Sequence, residues 1–267
     1  KDLASVTLGD SLEVLPSGTF RGCASLTQII IPDSVTTIDV VCFYGSGLEQ
    51  VYLSANVEEI GSGALASLNM KKIEVDANNS YYSCVNGFLI EDGGKLVAYA
   101  DGYGVDKIVL PEEVTSVAQH AFANIAYAKE VEIPSSLKTI PRYAFENATA
   151  LESVIISEGV TKIDLYAFQG CSSLETVQLP DSLTSIGSGA FRNCVSLKNI
   201  VWPSDASNLT INSSAFSNAG LERLELPTNI KAIQNYAFSE NKLLESVKLP
   251  ENLTATAQGL FNKCVSL

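Results

Sequence analysis

The chain repeats itself. LETVQLPDSLTSIGSGAFRNCVS, from Leu174, aligns with LESVIISEGVTKIDLYAFQGCSS, from Leu151, in the frame L-x-x-V-x-L/I-P-x-x-L/V-x-x-I-x-x-x-A-F-x-x-C. Ala-Phe pairs recur at Phe122, Phe145, Phe168, Phe191, Phe216 and Phe238, and Phe20, Phe43 and Phe261 hold the same slot after a different residue. Copies begin at Leu3, Leu26, Leu48, Met70, Val105, Ala128, Leu151, Leu174, Leu197, Leu221 and Leu244, and these eleven copies run 22 to 24 residues except the fourth, of 35. A fixed period of this length marks a repeat architecture in which each copy is one coil and contacts its neighbours.

The frame dictates the coil. Alternation in ETVQL turns Val177 and Leu179 one way and Thr176 and Gln178 the other, as a strand requires. Pro180 ends the strand because it has no N–H for a ladder. A second short extended piece, LTSI, points Leu183 and Ile186 inward. The glycine-rich bend at Gly187 and Gly189 then predicts one helix-like turn that buries Ala190 and Phe191. A lone copy cannot cover these apolar groups, whereas stacked copies bury them in a continuous core.

LPDSLTSIGSGAFRNCVSL and its copies resemble the BspA-like leucine-rich repeat family of bacterial and protist surface proteins. The resemblance covers essentially the whole chain. It implies a right-handed solenoid with a parallel sheet on one face, an extracellular or cell-surface setting, and a protein-binding or adhesive role. The expected fold is therefore a β-dominated repeat solenoid of about eleven coils of about 23 residues, with short second strands and single helical turns. Residues 1–267 are expected to form a single solenoid domain. Its ends lack the polar caps that shield a terminal core layer, so a segment of a larger surface protein is expected. Departures from the pattern are Gly9 in place of the first proline, Leu65 in place of the third Phe, and a Cys kept in only four copies.

The fourth copy, residues 70–104, breaks the rhythm. Its strand KKIEV supplies Ile73 and Val75, and the next copy resumes in frame at Val105. Between them FLIE and KLVAY flank Asp92-Gly93-Gly94, the signature of a β-hairpin replacing the missing half-coil. Phe88, Leu89 and Leu96 are expected to cover the local core, and the exposed members of Tyr81, Tyr82, Tyr99 and Tyr103 to be free for contact.

Charge and hydropathy exclude several functions. The net charge is −13, from 17 basic and 30 acidic residues, and no basic run occurs. Nucleic acid is excluded as a partner, because its affinity comes largely from Lys and Arg neutralising phosphates. No apolar stretch approaches the roughly 18 residues that span a bilayer, so no membrane insertion is expected of this segment. KDLASVTLGD carries no signal-peptide pattern; the surface location implied by the resemblance presumes such a peptide already removed.

The chemistry-bearing residues mostly follow the repeat. Cys23, Cys171, Cys194 and Cys264 all fall three residues after the core Phe, and Cys42 takes the Ala slot, as small buried hydrophobes would. Cys171 and Cys194 share a slot in adjacent copies and could touch. No C-x-x-C pair points to zinc. His120, the only histidine, shares its slot with Tyr143 and Tyr166, so these three could stack as an aromatic edge that contacts a partner. Carboxylates vary in position between copies, and no Gly-x-Ser-x-Gly elbow or phosphate loop occurs, so no catalytic residue, cofactor or metal is expected.

The outward strand slot reads Thr7, Ile30, Tyr52, Glu74, Val109, Glu132, Ile155, Gln178, Val201, Glu225 and Lys248. Ile30, Tyr52, Val109, Ile155 and Val201 make it richer in apolar groups than a row meeting water should be, which marks either an interaction surface or β-branched residues that suit a strand. Trp202 falls in an inward slot and is expected to pack. Sequons at Asn78, Asn147, Asn208, Asn212 and Asn252 are weak evidence in an Asn- and Ser-rich repeat. The expected function is a noncatalytic extracellular module presenting its long face to a host or surface protein, or to a surface glycan. The alternatives are a spacer that projects other domains and, more remotely, a carbohydrate-active enzyme using carboxylates assembled across coils.

Overall fold

A computed structural model describes residues 2–267, and it is a β-solenoid with no helix among them. The residues fall into two compact units. The first runs through Val105 and includes Pro111–Tyr127; the second comprises Asp106–Leu110 and Ala128–Leu267.

The second unit follows the repeat closely. Lys107–Val109, Glu130–Ile133, Ser153–Ile156, Thr176–Gln178 and Asn199–Val201 form a five-stranded parallel sheet. Its register pairs identical frame positions, such as Val131 with Val154 and Val154 with Val177. The short second strands make another parallel ladder from Thr139–Ile140 to Ala232–Ile233. Between the ladders, the core rings of Phe145, Phe168, Phe191, Phe216 and Phe238 stack at centroid distances of 5.0 to 5.4 Å, with nearly parallel planes. The stack follows from the coil spacing, which brings like side chains within one strand separation of each other.

The expected helical turn is replaced by a different device. Gly18, Val41, Gly63, His120, Tyr143, Tyr166, Gly189, Ser214, Tyr236 and Gly259 occupy one slot, and all have φ between 51° and 67°. Two residues past the Phe slot a second left-handed residue follows in most coils, for example Asn147, Gly170 and Asn193. A left-handed residue ends helix propagation, so the segment runs as linked turns such as Ala190 N–H to Gly187 C=O, 3.1 Å. It also frees the N–H of the core Phe to reach the next coil: Phe145 donates to Ala167, Phe168 to Ala190 and Phe191 to Ala215, at 2.7 to 2.8 Å. These bonds form a third coil-to-coil ladder without a regular strand.

The first unit is less regular. The second strands Val14–Leu15, Thr37–Ile38 and Glu59–Ile60 pair in parallel, and Gln50–Leu53 pairs with Lys72–Val75. The strands anticipated around Thr7 and Ile30 are absent, and residues 28–31 have no ladder. In the fourth copy Tyr82–Val85, Phe88–Glu91 and Lys95–Tyr99 form an antiparallel meander, one strand more than a hairpin. The last of these strands pairs in parallel with Ser116–Val117 and so re-enters the solenoid. Leu96 lies opposite Val117, and the Tyr99 N–H reaches Ala121 at 2.9 Å, the bond a core Phe makes elsewhere. Ala98-Tyr99 is therefore the Ala-Phe pair of this copy, and its ring lies 5.6 Å from Phe122.

Candidate functional site

The strand face offers different surfaces in the two units. In the first, Ile30 is 86% exposed and Tyr52 48% exposed. They border a groove of about 380 Å³ lined by Val6, Gln28, Ile29, Ile30, Gln50 and Tyr52, with Glu74 at its rim. The Tyr52 hydroxyl donates to the Asp76 carboxylate, which fixes the ring across the face. That bond raises the Tyr52 phenol above its ordinary value, with the negative charges of Asp76, Asp33 and Glu74 adding to it. The same bond, together with the Asn78 N–H, holds the Asp76 carboxyl below the ordinary range. Glu74 is paired with Lys72. A second hollow of about 400 Å³ lies beside Glu49, Gln50, Lys71, Lys72 and Tyr103, where Tyr103 is 48% exposed and Lys71 meets Glu49 at 3.0 Å.

In the second unit the same slot reads Val109, Glu132, Ile155, Gln178 and Val201 on consecutive strands. All three apolar members are exposed. Each is separated from the next by a polar residue, hence by two strand spacings, roughly 9.5 Å. Lys107 crosses to Glu132 at 3.0 Å and adds a charged pair to the row. Apolar groups so spaced do not merge into one patch. Charge divides just as unevenly. The first unit holds 15 acidic and 5 basic residues and the second 15 and 12, giving net charges of −10 and −3.

Two of the candidate tyrosines are core residues. Tyr82 is buried, and its hydroxyl accepts the Ile60 N–H at 2.9 Å and donates to Glu58 C=O at 3.3 Å. Tyr99 is buried against Phe88 and Phe122. Both are removed from the contact surface because the meander uses them to replace a half-coil. Tyr81 and Tyr103 are exposed, and Phe88, Leu89 and Leu96 are buried.

The aromatic edge also has a structural explanation. Tyr143 and Tyr166 stack at 5.4 Å, and the Arg142 guanidinium lies over Tyr143 and donates to its hydroxyl at 3.0 Å. A Cβ on Gly189 would meet the Tyr166 ring at 2.3 Å, so that ring face is covered by the next coil. His120 packs edge-on against Tyr44 at 5.2 Å, over Gly63. Trp202 is half-buried, edge-on to Phe216.

All six cysteines are free. Cys171, Cys194 and Cys264 donate their thiols to the Phe carbonyls of the preceding coil, at 3.2 to 3.3 Å. Asn241, in the same slot, makes that bond with its amide. Burial pushes the Cys42 thiol up to about 12 and the Cys84 thiol up to about 11, away from the nucleophilic thiolate. Asp181 and Asp205 are held below the ordinary carboxyl range by hydrogen bonds from Ser204 and Ser207. That direction is opposite to the one a general acid requires. No group of three or more potential metal ligands occurs among the described residues. No helix of the described residues is long and apolar enough to cross a membrane.

The groove walls Val6, Gln28 and Ile29, and the partner Asp76, escape a reading of the sequence. Ile29 occupies an inward slot of the frame, yet it is only half-buried.

Comparison with known proteins agrees with this geometry. The BspA-type leucine-rich repeat region model matches residues 1–85, 97–210 and 166–267, in six copies. Among solved structures, a leucine-rich cell-surface protein from Faecalibacterium prausnitzii aligns at 28% identity with a TM-score of 0.62, over 76% of this chain and 60% of that one. A leucine-rich repeat protein from Eubacterium ventriosum aligns at 22% identity and TM-score 0.65, over 85% and 67%. The pneumococcal vaccine antigen PcpA aligns at 21% identity and TM-score 0.55, over 91% and 50%. The chain thus spans 60% of the length of the Faecalibacterium protein. No curated protein matches the sequence.

Proposed function

The chain belongs to the BspA-type leucine-rich repeat family, and from that premise we propose that it is a noncatalytic cell-surface or secreted module that binds a host or surface protein. The observation that carries this reading is the groove between Ile30 and Tyr52, where exposed apolar and aromatic groups adjoin on a face fixed by the solenoid. Rigid aromatic groups on a preformed surface are the usual anchors of protein interfaces. The surface setting is supported by the Faecalibacterium relative, which is called a cell-surface protein. On this reading Ile30, Tyr52 and Tyr103 make the principal contacts, and the exposed Tyr81 is a further candidate. Val109, Ile155 and Val201 are secondary, and His120, Tyr143 and Tyr166 order the turn edge. Residues 1–267 act as one repeat domain within a longer surface protein.

A spacer is the second reading, favoured by the broken apolar row and the charged pair of the second unit. Immobilised chain titrated with a panel of purified extracellular-matrix and host surface proteins separates the two. Binding that falls at least about tenfold on Tyr52→Glu supports the module, since interface anchors cost about 2 kcal/mol or more when lost. No response from any member of the panel supports the spacer.

A further inference from the structure

The first unit's strand face is an open sheet edge as well as an apolar groove. Gln50–Leu53 pairs with Lys72–Val75 on one side, and among the described residues no strand pairs with it on the other. The preceding copy touches it through Glu49 N–H to Thr27 C=O at 3.0 Å, one residue before the strand, and then runs through residues 28–31 without a ladder. In the second unit the equivalent strand Ser153–Ile156 is paired on both sides, with Glu130–Ile133 and Thr176–Gln178. The groove lies where a partner strand for Gln50–Leu53 is missing: its walls are Gln28–Ile30 and Gln50–Tyr52.

Three features then describe what fits. The backbone edge calls for an extended polypeptide, because unpaired strand N–H and C=O groups are satisfied by strand addition. The apolar lining of Val6, Ile29 and Ile30 calls for apolar side chains at alternate positions. The electrostatics call for basic residues at the others. Asp76 accepts from the Tyr52 hydroxyl, Glu74 lines the groove and is paired with Lys72, the charge of Asp33 also acts on that hydroxyl, and the unit as a whole carries −10. Lys and Arg stems would lie on Ile30 and the Tyr52 ring with their charged heads at these carboxylates.

We propose that the Gln50–Leu53 edge captures an extended segment of the partner in which apolar residues alternate with Lys or Arg, by strand addition into the Ile29–Tyr52 groove. This rests on the protein-binding reading above and specifies the partner's chemistry.

The test titrates the full chain with a short labelled peptide alternating lysine and valine, by fluorescence anisotropy at about 50 and about 300 mM NaCl, which spans weak to strong screening. Two comparators are the same peptide with glutamate for lysine and the same peptide N-methylated along its backbone. The lysine–valine peptide is expected to bind, and to weaken about tenfold at the higher salt. Each comparator is expected to bind at least about tenfold more weakly, one for charge and one for lost edge hydrogen bonds. Ile30→Lys, at an 86% exposed position that leaves the core intact, should weaken binding similarly, while Val195→Lys, at an exposed position of the second unit outside the proposed contacts, should not. Failure of the lysine–valine peptide to bind, or equal binding of either comparator, overturns the inference. A Tyr52-dependent response to a folded protein of the panel, with no peptide binding, would overturn it while leaving the protein-binding reading in place. No response to peptide or panel removes both.

Discussion

The strands Gln50–Leu53 and Ser153–Ile156 occupy the same slot of the same repeat, yet their surroundings diverge. Ser153–Ile156 lies inside a five-stranded ladder, its outward Ile155 flanked by Glu132 and Gln178. Gln50–Leu53 has one partner, and its outward Tyr52 faces Ile30 across a groove. The second unit nearly balances its charge, while the first retains most of the excess negative charge. A repeat therefore guarantees the core without guaranteeing the face. Core slots are constrained by both neighbours in the stack, whereas the outward row answers only to solvent and to whatever binds.

That contrast can be broken first at the core. Phe191 stacks between Phe168 and Phe216, each at 5.1 Å, whereas Phe20 is in contact with Phe43 alone among the ring stacks described. Phe191→Ala should cost about 3–5 kcal/mol in urea denaturation, and Phe20→Ala less. The reverse order would show that the first unit, for all its irregularity, is the tighter one.

Glycine exchanges give the next largest effect. Gly189 has φ +63°, and an added Cβ would meet the Tyr166 ring at 2.3 Å, while Gly93 has φ +95° with nothing within 4 Å. Gly189→Ala should cost about 1–3 kcal/mol for overpacking and about 1–2 kcal/mol more for the left-handed backbone. Gly93→Ala should cost only the backbone part. Equal thermal shifts would mean that the tyrosine edge yields freely and does not brace the coil.

The pH dependence is the smallest effect at neutrality and grows in alkali. Cys42 is raised from 9.0 to about 12 by burial, so its proton is held more tightly in the folded state. The stability it contributes is complete below pH 9.0 and is lost as pH rises toward about 12. The urea midpoint should therefore fall over that window, and Cys42→Ala, which restores the residue typical of the slot, should flatten the fall. An unchanged slope would place the alkaline sensitivity elsewhere, for instance at Cys84 or Cys194, both also raised by burial.

Much of the fold was legible because the frame repeats: strand positions, inward slots, the Phe stack and the role of register-locked cysteines all follow from spacing. The left-handed slot had a signal that was readable, since Gly18, Gly63, Gly189 and Gly259 share it with His120 and three tyrosines. Tyr99 as a core Phe was hidden, because it follows Leu96 by three residues where Phe191 follows Ile186 by five. An extended strand covers in three residues the span that linked turns cover in five. The groove was the least legible feature. Ile29, Ile30 and Ile31 read as a strand like any other, and whether a strand finds its ladder depends on neighbours that a single copy does not encode.

The central claim is that binding belongs to the first unit's face, and paired insertions of a positive charge test it most directly. Tyr52→Lys and Val201→Lys place the same charge on exposed positions of the same slot, one in each unit. With affinity for extracellular-matrix and host surface proteins measured on immobilised chain, Tyr52→Lys should weaken binding at least about tenfold and Val201→Lys by less than about twofold. Equal losses at both positions, or a wild-type chain that binds none of them, would contradict the account.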